Sequence, residues 1–301
     1  MNLKAYRQYV HTLASLHRQY GVADAETRAT VPTLATLKAA PDKERLELLA
    51  ASIRARLTRI SPKLAEQLLA EPWLRHLTFG DIAFSVPIIN EQGVEWYGSA
   101  PPENFDFTIE RSIGLLDEAR VVYDFGGHHG VWAAYYARVV GDGGFVYSFE
   151  PSVINVEVSA LLFLLNGISN VVNIGAAVGT MTDHDGAEGS SAGMLVDFVE
   201  QMRVIDVRSL AWRYGDFMKM DIEGFEYDLL TRFPWLFDLA THIHLELHIP
   251  HLERRGLDYR DVTALLPFEQ FEIHNSEGGV LELVTRDTPL SGYCSLMMRR
   301  L

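Results

Sequence analysis

The sequence has little of what would mark a secreted or membrane-spanning protein. Only one of its 301 residues, Cys294, is a cysteine, so no disulfide can form within the chain and a reducing compartment is expected. The longest uninterrupted apolar stretch, residues 131–137, is far shorter than the ~20 residues of a membrane-spanning helix. Arg7 and His11 interrupt any apolar core of a signal peptide. We therefore expect a cytoplasmic protein without a membrane span.

Lysine is also scarce, and basic charge is concentrated near the N-terminus. Residues 1–80 contain 12 Lys and Arg against 7 Asp and Glu, whereas residues 81–301 contain 14 against 33. The formal net charge of −14 argues against general binding to nucleic acid. This imbalance is typical of a basic helical segment beside an acidic domain, and an anion- or partner-binding segment is the alternative.

Apolar periodicity divides the chain into three regions. Apolar residues recur every three or four positions within residues 1–76, which predicts an accessory helical region. Residues 77–119 are expected to contain a hairpin and a linker helix. In residues 120–301 short apolar strands alternate with helices, and the last predicted strands follow one another directly. This pattern predicts an α/β fold whose mostly parallel sheet has an antiparallel C-terminal edge.

The hairpin is predicted from a change of period. Residues 83–89 have the pattern of a strand, residues 91–93 that of a turn, and residues 94–97 that of a return strand. Two prolines, Pro101 and Pro102, indicate a linker before a helix over residues 105–120.

A glycine-rich turn follows the first strand of the third region and reads Asp124-Phe-Gly-Gly-His-His-Gly130. Its glycines would let a ligand approach the backbone, and the N-terminus of the next helix favours an anionic group. The spacing differs from the G-x-G-x-x-G of dinucleotide-binding proteins. The next strand ends at Glu150, a position from which a carboxylate can hold both hydroxyls of a ribose. The combination predicts an adenosine-containing ligand, the alternative being a tight turn with a helix-capping acid.

Titratable side chains alternate with apolar ones along two later strands. They are Lys219, Asp221, Glu223, His242, His244, Glu246 and His248. A period of two places each set on one face of its strand. Imidazoles and carboxylates in this arrangement can bind a metal, and burying so many charges costs several kcal/mol unless they are paired. A structural Lys–Glu pair and a half-exposed strand with satisfied histidines are the alternatives.

Six short motifs follow one another between residues 120 and 250. They are Asp124-x-Gly126-x-x-x-Gly130, Phe149-Glu150-Pro151, Asn166-Gly-Ile-Ser-Asn170-Val, Ala177-Val-Gly179, Lys219-x-Asp221-x-Glu223-Gly224 and Leu245-Glu246-Leu-His248. This ordered set resembles the FkbM family of S-adenosylmethionine-dependent methyltransferases. The resemblance implies a Rossmann-like methyltransferase fold and methylation of hydroxyl oxygens on sugars and natural products. It also implies a cofactor site made by Asp124, Gly126, Gly127, Gly130 and Glu150, with Glu150 at the ribose.

Removing the proton of a hydroxyl acceptor requires a base or a metal ion. The candidates for catalysis are Asp221, His248 and His128, the last standing where the family usually has asparagine. A divalent ion, Mg²⁺ or Mn²⁺, would be bound by Asp221, Glu246 and His248. We expect a small-molecule or glycan acceptor and no nucleic acid. An inactive adenosine-ligand-binding or scaffold protein and, less favoured, a dinucleotide-dependent oxidoreductase are the alternatives.

Overall fold

The computed structural model describes residues 1–99, 109–110, 114–117, 119–179, 203–209, 215–276 and 279–301. The chain forms two compact units. Unit 1 contains Met1–Phe105, Gly127–Arg138 and Glu150–Gly175, and unit 2 contains Asp106–Gly126, Val139–Phe149 and Ala176–Leu301. The three regions delimited from the sequence stay a prediction, and most of the linker helix lies outside the described residues.

Unit 1 is mainly helical. Its helices, in chain order, are α1 (Leu3–Arg18), α2 (Asp24–Thr30), α3 (Leu34–Ala39), α4 (Asp42–Ile60), α5 (Pro62–Glu66), α6 (Glu91–Gly93), α7 (Val131–Val140, to Arg138 in this unit) and α8 (Val153–Leu165). Its strands are β1 (Leu68–Phe79), β2 (Ile82–Asn90) and β5 (Val171–Ile174). Side-chain caps begin the first and last helices, because Asn2 accepts a hydrogen bond from Ala5 N and Ser152 accepts one from Asn155 N.

The hairpin of unit 1 differs from the prediction. β1 pairs antiparallel with β2 across a turn at Gly80, whose φ is +61°. The predicted helical region therefore ends at Glu66, and residues 68–76 are strand, because glycine supplies a two-residue hairpin turn at this point. The predicted return strand is also wrong, since Val94–Gly98 forms a π-helical turn. Asn90 explains this outcome: its side chain accepts a hydrogen bond from Gly93 N and starts a helical turn.

A buried ion pair joins α4 to α8 within unit 1. Glu157 of α8 is fully buried, and both of its carboxylate oxygens accept hydrogen bonds from Arg56 at 2.7 Å. His17 Nε2 of α1 also lies 2.7 Å from Glu157 Oε1. Burial raises the pKa of this carboxyl, but the charge and hydrogen bonds of Arg56 outweigh burial and lower the pKa of Glu157 to about 2. The N-terminal helices thus supply the charge that Glu157 requires.

Unit 2 contains the remaining strands and helices. Its strands are β3 (Val121–Phe125), β4 (Phe145–Phe149), β6 (Ala177–Gly179), β7 (Val204–Asp206), β8 (Gly215–Met220), β9 (Ala240–His248), β10 (Phe271–Asn275), β11 (Glu282–Leu283) and β12 (Tyr293–Arg300). Its helices are α9 (Glu226–Arg232), α10 (Ile249–Arg254) and α11 (Tyr259–Thr263).

The main sheet of unit 2 has the strand order β11-β10-β12-β9-β8-β3-β4. β4, β3, β8 and β9 are parallel, whereas β12 is antiparallel to β9 and to β10, and β11 is antiparallel to β10. The predicted α/β class, with a mostly parallel sheet and an antiparallel C-terminal edge, is confirmed. Asp124 pairs in register with Lys219 and Lys219 with His244, which brings the ends of three parallel strands to one edge. None of the described helices has both the length and the apolar character needed to cross a membrane.

We expect Arg56→Met to lower the free energy of unfolding by about 3–5 kcal/mol, because it leaves Glu157 charged and buried without its main partner. The double variant Arg56→Met/Glu157→Leu should recover most of that loss. Since the pKa of Glu157 is depressed from 4.5, the pair stabilises the fold above that pH, and its contribution is lost as the pH falls toward about 2.

Urea unfolding measures these effects. Asp24→Asn is the matched control, because it breaks the exposed pair with Arg18 and should cost less than about 1 kcal/mol. Equal losses in Arg56→Met and in the double variant would show that the uncompensated charge of Glu157 is not what destabilises the protein.

Candidate active site

Asp124 and Gly126 stand at the carboxyl end of β3 in unit 2. Asp124 is fully buried, its Oδ2 accepts a hydrogen bond from Ser148 at 2.9 Å, and its Oδ1 has no hydrogen-bond partner among the described residues. Burial raises the pKa of Asp124 to about 6 against the opposing charge of Lys219. Gly126 has a φ of +87°, and a Cβ there would lie 1.7 Å from the carbonyl oxygen of Asp221. A glycine is therefore required at this strand end, next to a buried acceptor atom that a ligand could satisfy.

The other predicted cofactor residues belong to unit 1. Glu150 is 6% exposed, and its carboxylate accepts hydrogen bonds from the backbone N–H groups of His128 and Ser152, both at 2.8 Å. Gly127 accepts a hydrogen bond from the Gly130 N–H at 2.8 Å. The Glu150 carboxylate thus fixes the backbone of the glycine turn as well as the approach to α8.

Gly130 is a steric requirement of the same turn. Its φ is +78°, and a Cβ there would lie 2.7 Å from the Ser159 side chain and 2.8 Å from that of Phe163. Both neighbours lie on α8, so the turn packs against that helix. Close packing of a helix is one of the roles of glycine in such turns.

The His128 ring is held within an aromatic cluster of unit 1. It stacks on the His129 ring at a centroid distance of 4.2 Å, and its Nδ1 lies 2.7 Å from the Tyr97 hydroxyl. The half-exposed Trp96 approaches it edge-on at 6.2 Å. His128 itself has a φ of +46°, which is uncommon for a residue other than glycine. Trp96 and Tyr97 were missed from the sequence, because they fall on the segment that was predicted as a return strand.

Lys219 is the centre of the charged cluster at the ends of β8 and β9 in unit 2. Its fully buried ammonium lies 2.7 Å from Asp221 Oδ2 and 3.4 Å from Glu246 Oε1. Burial lowers the pKa of an ammonium group, but the charges of these two carboxylates outweigh burial and raise the pKa of Lys219. Burial opposes the ionisation of Asp221, but the charge of Lys219 outweighs burial and lowers the pKa of Asp221. For Glu246, burial and the negative charge of Asp221 together raise the pKa. Asp221 is therefore the more firmly ionised carboxylate of the two.

His248, at the end of β9, faces three carboxylates. Its Nδ1 lies 3.1 Å from Glu226 Oε1, and its Nε2 lies 3.6 Å from Asp221 Oδ1 and 3.5 Å from Glu223 Oε2. Burial lowers the pKa of an imidazole, but the hydrogen bond and charge of Glu226, with the charges of the other two, outweigh it and raise the pKa of His248 to about 9. The ring is therefore protonated at neutral pH and orients its neighbours rather than accepting a proton.

The remaining histidines of β9 take separate positions. His244 is fully buried between Glu110 and Ser295, with both contacts at 2.8 Å. His242 lies next to the hydroxyl of Thr241. The sequence did not identify Glu110 as the partner of His244 or Glu226 as the partner of His248. Only Glu226 had a sequence signal, because it lies in the first turn of α9 and acids are favoured at helix N-termini.

Three ligand atoms of unit 2 lie within 4.8 Å of one another, on Asp221, Glu223 and His248. Glu246, predicted as the third ligand, lies instead beside Lys219 and, at 3.8 Å, His244. The ligand set that includes Glu246 stays a prediction.

We expect His248 to be protonated from pH 7 to about pH 9, because its ring faces three carboxylates. Glu226→Gln should lower its pKa toward the ordinary value of 6.5 by removing the nearest charge. Titration of the imidazole by NMR measures the pKa of His248 in both proteins. A His248 that titrates near 6.5 in the unaltered protein would contradict the charge arrangement described.

The chain resembles several methyltransferases of known structure. The solved structures that the chain resembles include an S-adenosylmethionine-dependent methyltransferase from Aquifex aeolicus (15% identity, 69% of this chain and 93% of that one, TM-score 0.41). A second is the Thermus thermophilus 16S rRNA N2 G1207 methyltransferase (11% identity, 76% of this chain and 51% of that one, TM-score 0.45). A third is an O-methyltransferase from Bacillus cereus (13% identity, 97% of this chain and 99% of that one, TM-score 0.40). No curated protein matches the chain. The model of the methyltransferase FkbM domain matches residues 124–273, and this part of the chain therefore belongs to the FkbM family of methyltransferase domains.

Proposed function

We propose that the chain transfers a methyl group from S-adenosylmethionine to a hydroxyl oxygen of a sugar, a natural product or another small molecule. The family supports methyl transfer. A hydroxyl acceptor is supported by the polar cluster at the carboxyl ends of β8 and β9, which contains Lys219, Asp221, Glu246 and His248. Open parallel sheets bind their ligands at that edge, and a hydroxyl requires polar groups to orient it and to take its proton.

Each predicted cofactor residue has a feature that suits binding. The Glu150 carboxylate would accept charge-assisted hydrogen bonds from the ribose hydroxyls. Asp124, Gly126, Gly127 and Gly130 would hold the methionine part, and the buried Oδ1 of Asp124 is an acceptor suited to it. Bound S-adenosylmethionine supplies a sulfonium methyl that is already activated for attack.

The proton of the acceptor must leave as the new C–O bond forms, and a positioned base accelerates such a step ~10²–10⁴-fold. His248 is protonated at neutral pH, so it would orient the acceptor. Asp221 would take the proton as a weak base, since Lys219 lowers its pKa. His128, fixed by the Tyr97 hydroxyl, is the other candidate. If a divalent ion, Mg²⁺ or Mn²⁺, is bound by Asp221, Glu246 and His248, the ligands expected from the sequence, it would displace the proton of His248 and acidify the hydroxyl, so that a weak base is sufficient.

The alternative function is binding of an adenosine ligand without catalysis. It is supported by His128, which stands where the family usually has asparagine. The match to a methyltransferase domain leaves no support for the oxidoreductase alternative. The net charge of −14 continues to favour a small molecule or glycan over a nucleic acid as the acceptor.

We expect Glu150→Gln to weaken the binding of S-adenosylhomocysteine roughly 10–100-fold, because hydrogen bonds to a charged acceptor are replaced by neutral ones. Isothermal titration calorimetry measures the change. Glu71→Gln, an exposed substitution on β1, is the matched control and should leave affinity unchanged. Equal affinities of Glu150→Gln and the unaltered chain, with both folded in a thermal melt, would exclude Glu150 from ribose binding.

A further inference from the structure

We propose that unit 2 binds a divalent cation between Asp221, Glu223 and His248, with Glu226 positioning the His248 ring. Glu223 thereby replaces Glu246 in the ligand set expected from the sequence. The catalytic purpose of the ion rests on the proposed function, whereas its binding does not.

The spacing of the three side chains suits one ion. His248 Nε2 lies 3.6 Å from Asp221 Oδ1 and 3.5 Å from Glu223 Oε2, and all three ligand atoms lie within 4.8 Å of one another. Ligand atoms that bind an ion at about 2.0–2.2 Å stand roughly 3–4 Å apart from each other. Small side-chain rotations therefore suffice to bring these atoms onto a shared cation.

Glu226 gives His248 the orientation of a metal ligand. Its Oε1 lies 3.1 Å from His248 Nδ1 and also accepts hydrogen bonds from the backbone N–H groups of Ile222 and Gly224, both at 3.2 Å. A carboxylate on one ring nitrogen directs the other nitrogen toward the metal in many metalloproteins. Here the other nitrogen, Nε2, faces Asp221 and Glu223, and it would release its proton when the ion binds. Glu226 is fully buried, so this orientation is built into the fold.

The position is also open and negatively charged. Asp221 and Glu223 are 23% and 37% exposed, which leaves room for water or an acceptor hydroxyl on the ion. The Lys219 ammonium is paired with Asp221 and Glu246. Within the described part of unit 2, the ion-pair partners of Glu223 and Glu226 are imidazoles rather than lysine or arginine. A divalent cation would balance these carboxylates.

Glu223 is held in place for this role. His251 Nδ1 donates a hydrogen bond to the Glu223 carbonyl oxygen at 3.0 Å, and the same nitrogen lies 3.7 Å from the Glu223 carboxylate. An ion bound at this position would polarise the acceptor hydroxyl, so that a weak base could take its proton.

The test uses the full chain and Mn²⁺ as the probe, with the free ion followed by electron paramagnetic resonance. The unaltered chain should remove Mn²⁺ from the free signal at a single site. Glu223→Gln should weaken binding at least ~10-fold, and Glu226→Gln roughly 10–100-fold through loss of ring orientation. Glu246→Gln should weaken binding less than Glu223→Gln does, and the exposed control Glu253→Gln should bind Mn²⁺ as the unaltered chain does.

No uptake of Mn²⁺ by the unaltered chain would overturn the site. A loss in Glu246→Gln as large as that in Glu223→Gln would overturn the ligand set. Thermal melts show whether each variant is folded, and Glu223→Gln is a mild change because the side chain is partly exposed. Binding of S-adenosylhomocysteine, measured on the same samples, tests the proposed function separately: binding of Mn²⁺ alone would leave the ion site standing and refute the methyl transfer.

Discussion

Lys219 carries a charge that the rest of unit 2 must balance. Its ammonium has no contact with solvent, and such burial costs several kcal/mol unless the charge is paired. Asp221 and Glu246 supply the pair from the ends of β8 and β9. Because these strands are parallel and in register, the carboxylates needed by Lys219 collect at one edge of the sheet. The acids beyond this pair, Glu223 and Glu226, set the charge and orientation of His248 and give the edge its capacity for chemistry.

The same constraint organises unit 1. Glu157 lies on α8, a helix that is apolar on nearly all of its faces and buried along its length. A carboxylate in that setting requires a cation, and Arg56 from α4 provides it, assisted by His17 from α1. The N-terminal helices therefore complete the core of unit 1, which extends their predicted role as an accessory region. Removing residues 1–76 would leave the Glu157 charge buried and uncompensated.

Local patterns were sufficient to predict the alternation of strands and helices and the strand-end residues. A period of two places Lys219 and Asp221 on one face whatever surrounds them. Contacts distant in sequence were not accessible in this way: Glu110 is 134 residues from His244. The hairpin turn was predicted at Gly93 instead of Gly80. Gly93 lies in a helical turn, because its N–H donates a hydrogen bond to the side chain of Asn90. The glycine turn lies between a strand and a helix, as predicted, but its packing role was not predicted: a Cβ at Gly126 would clash with the Asp221 backbone, and one at Gly130 would clash with α8.

The most direct test of methyl transfer to a hydroxyl oxygen uses S-adenosylmethionine whose methyl group carries an isotopic label. The full chain, supplied with Mg²⁺ or Mn²⁺, is incubated with a fractionated cell extract, and the labelled product is isolated. We predict that the label enters a small molecule or glycan as a methyl ether, which resists alkaline hydrolysis. This function would be contradicted if the label were recovered in RNA, in protein or on a nitrogen atom. It would also be contradicted if a chain that binds S-adenosylhomocysteine transferred no label at all.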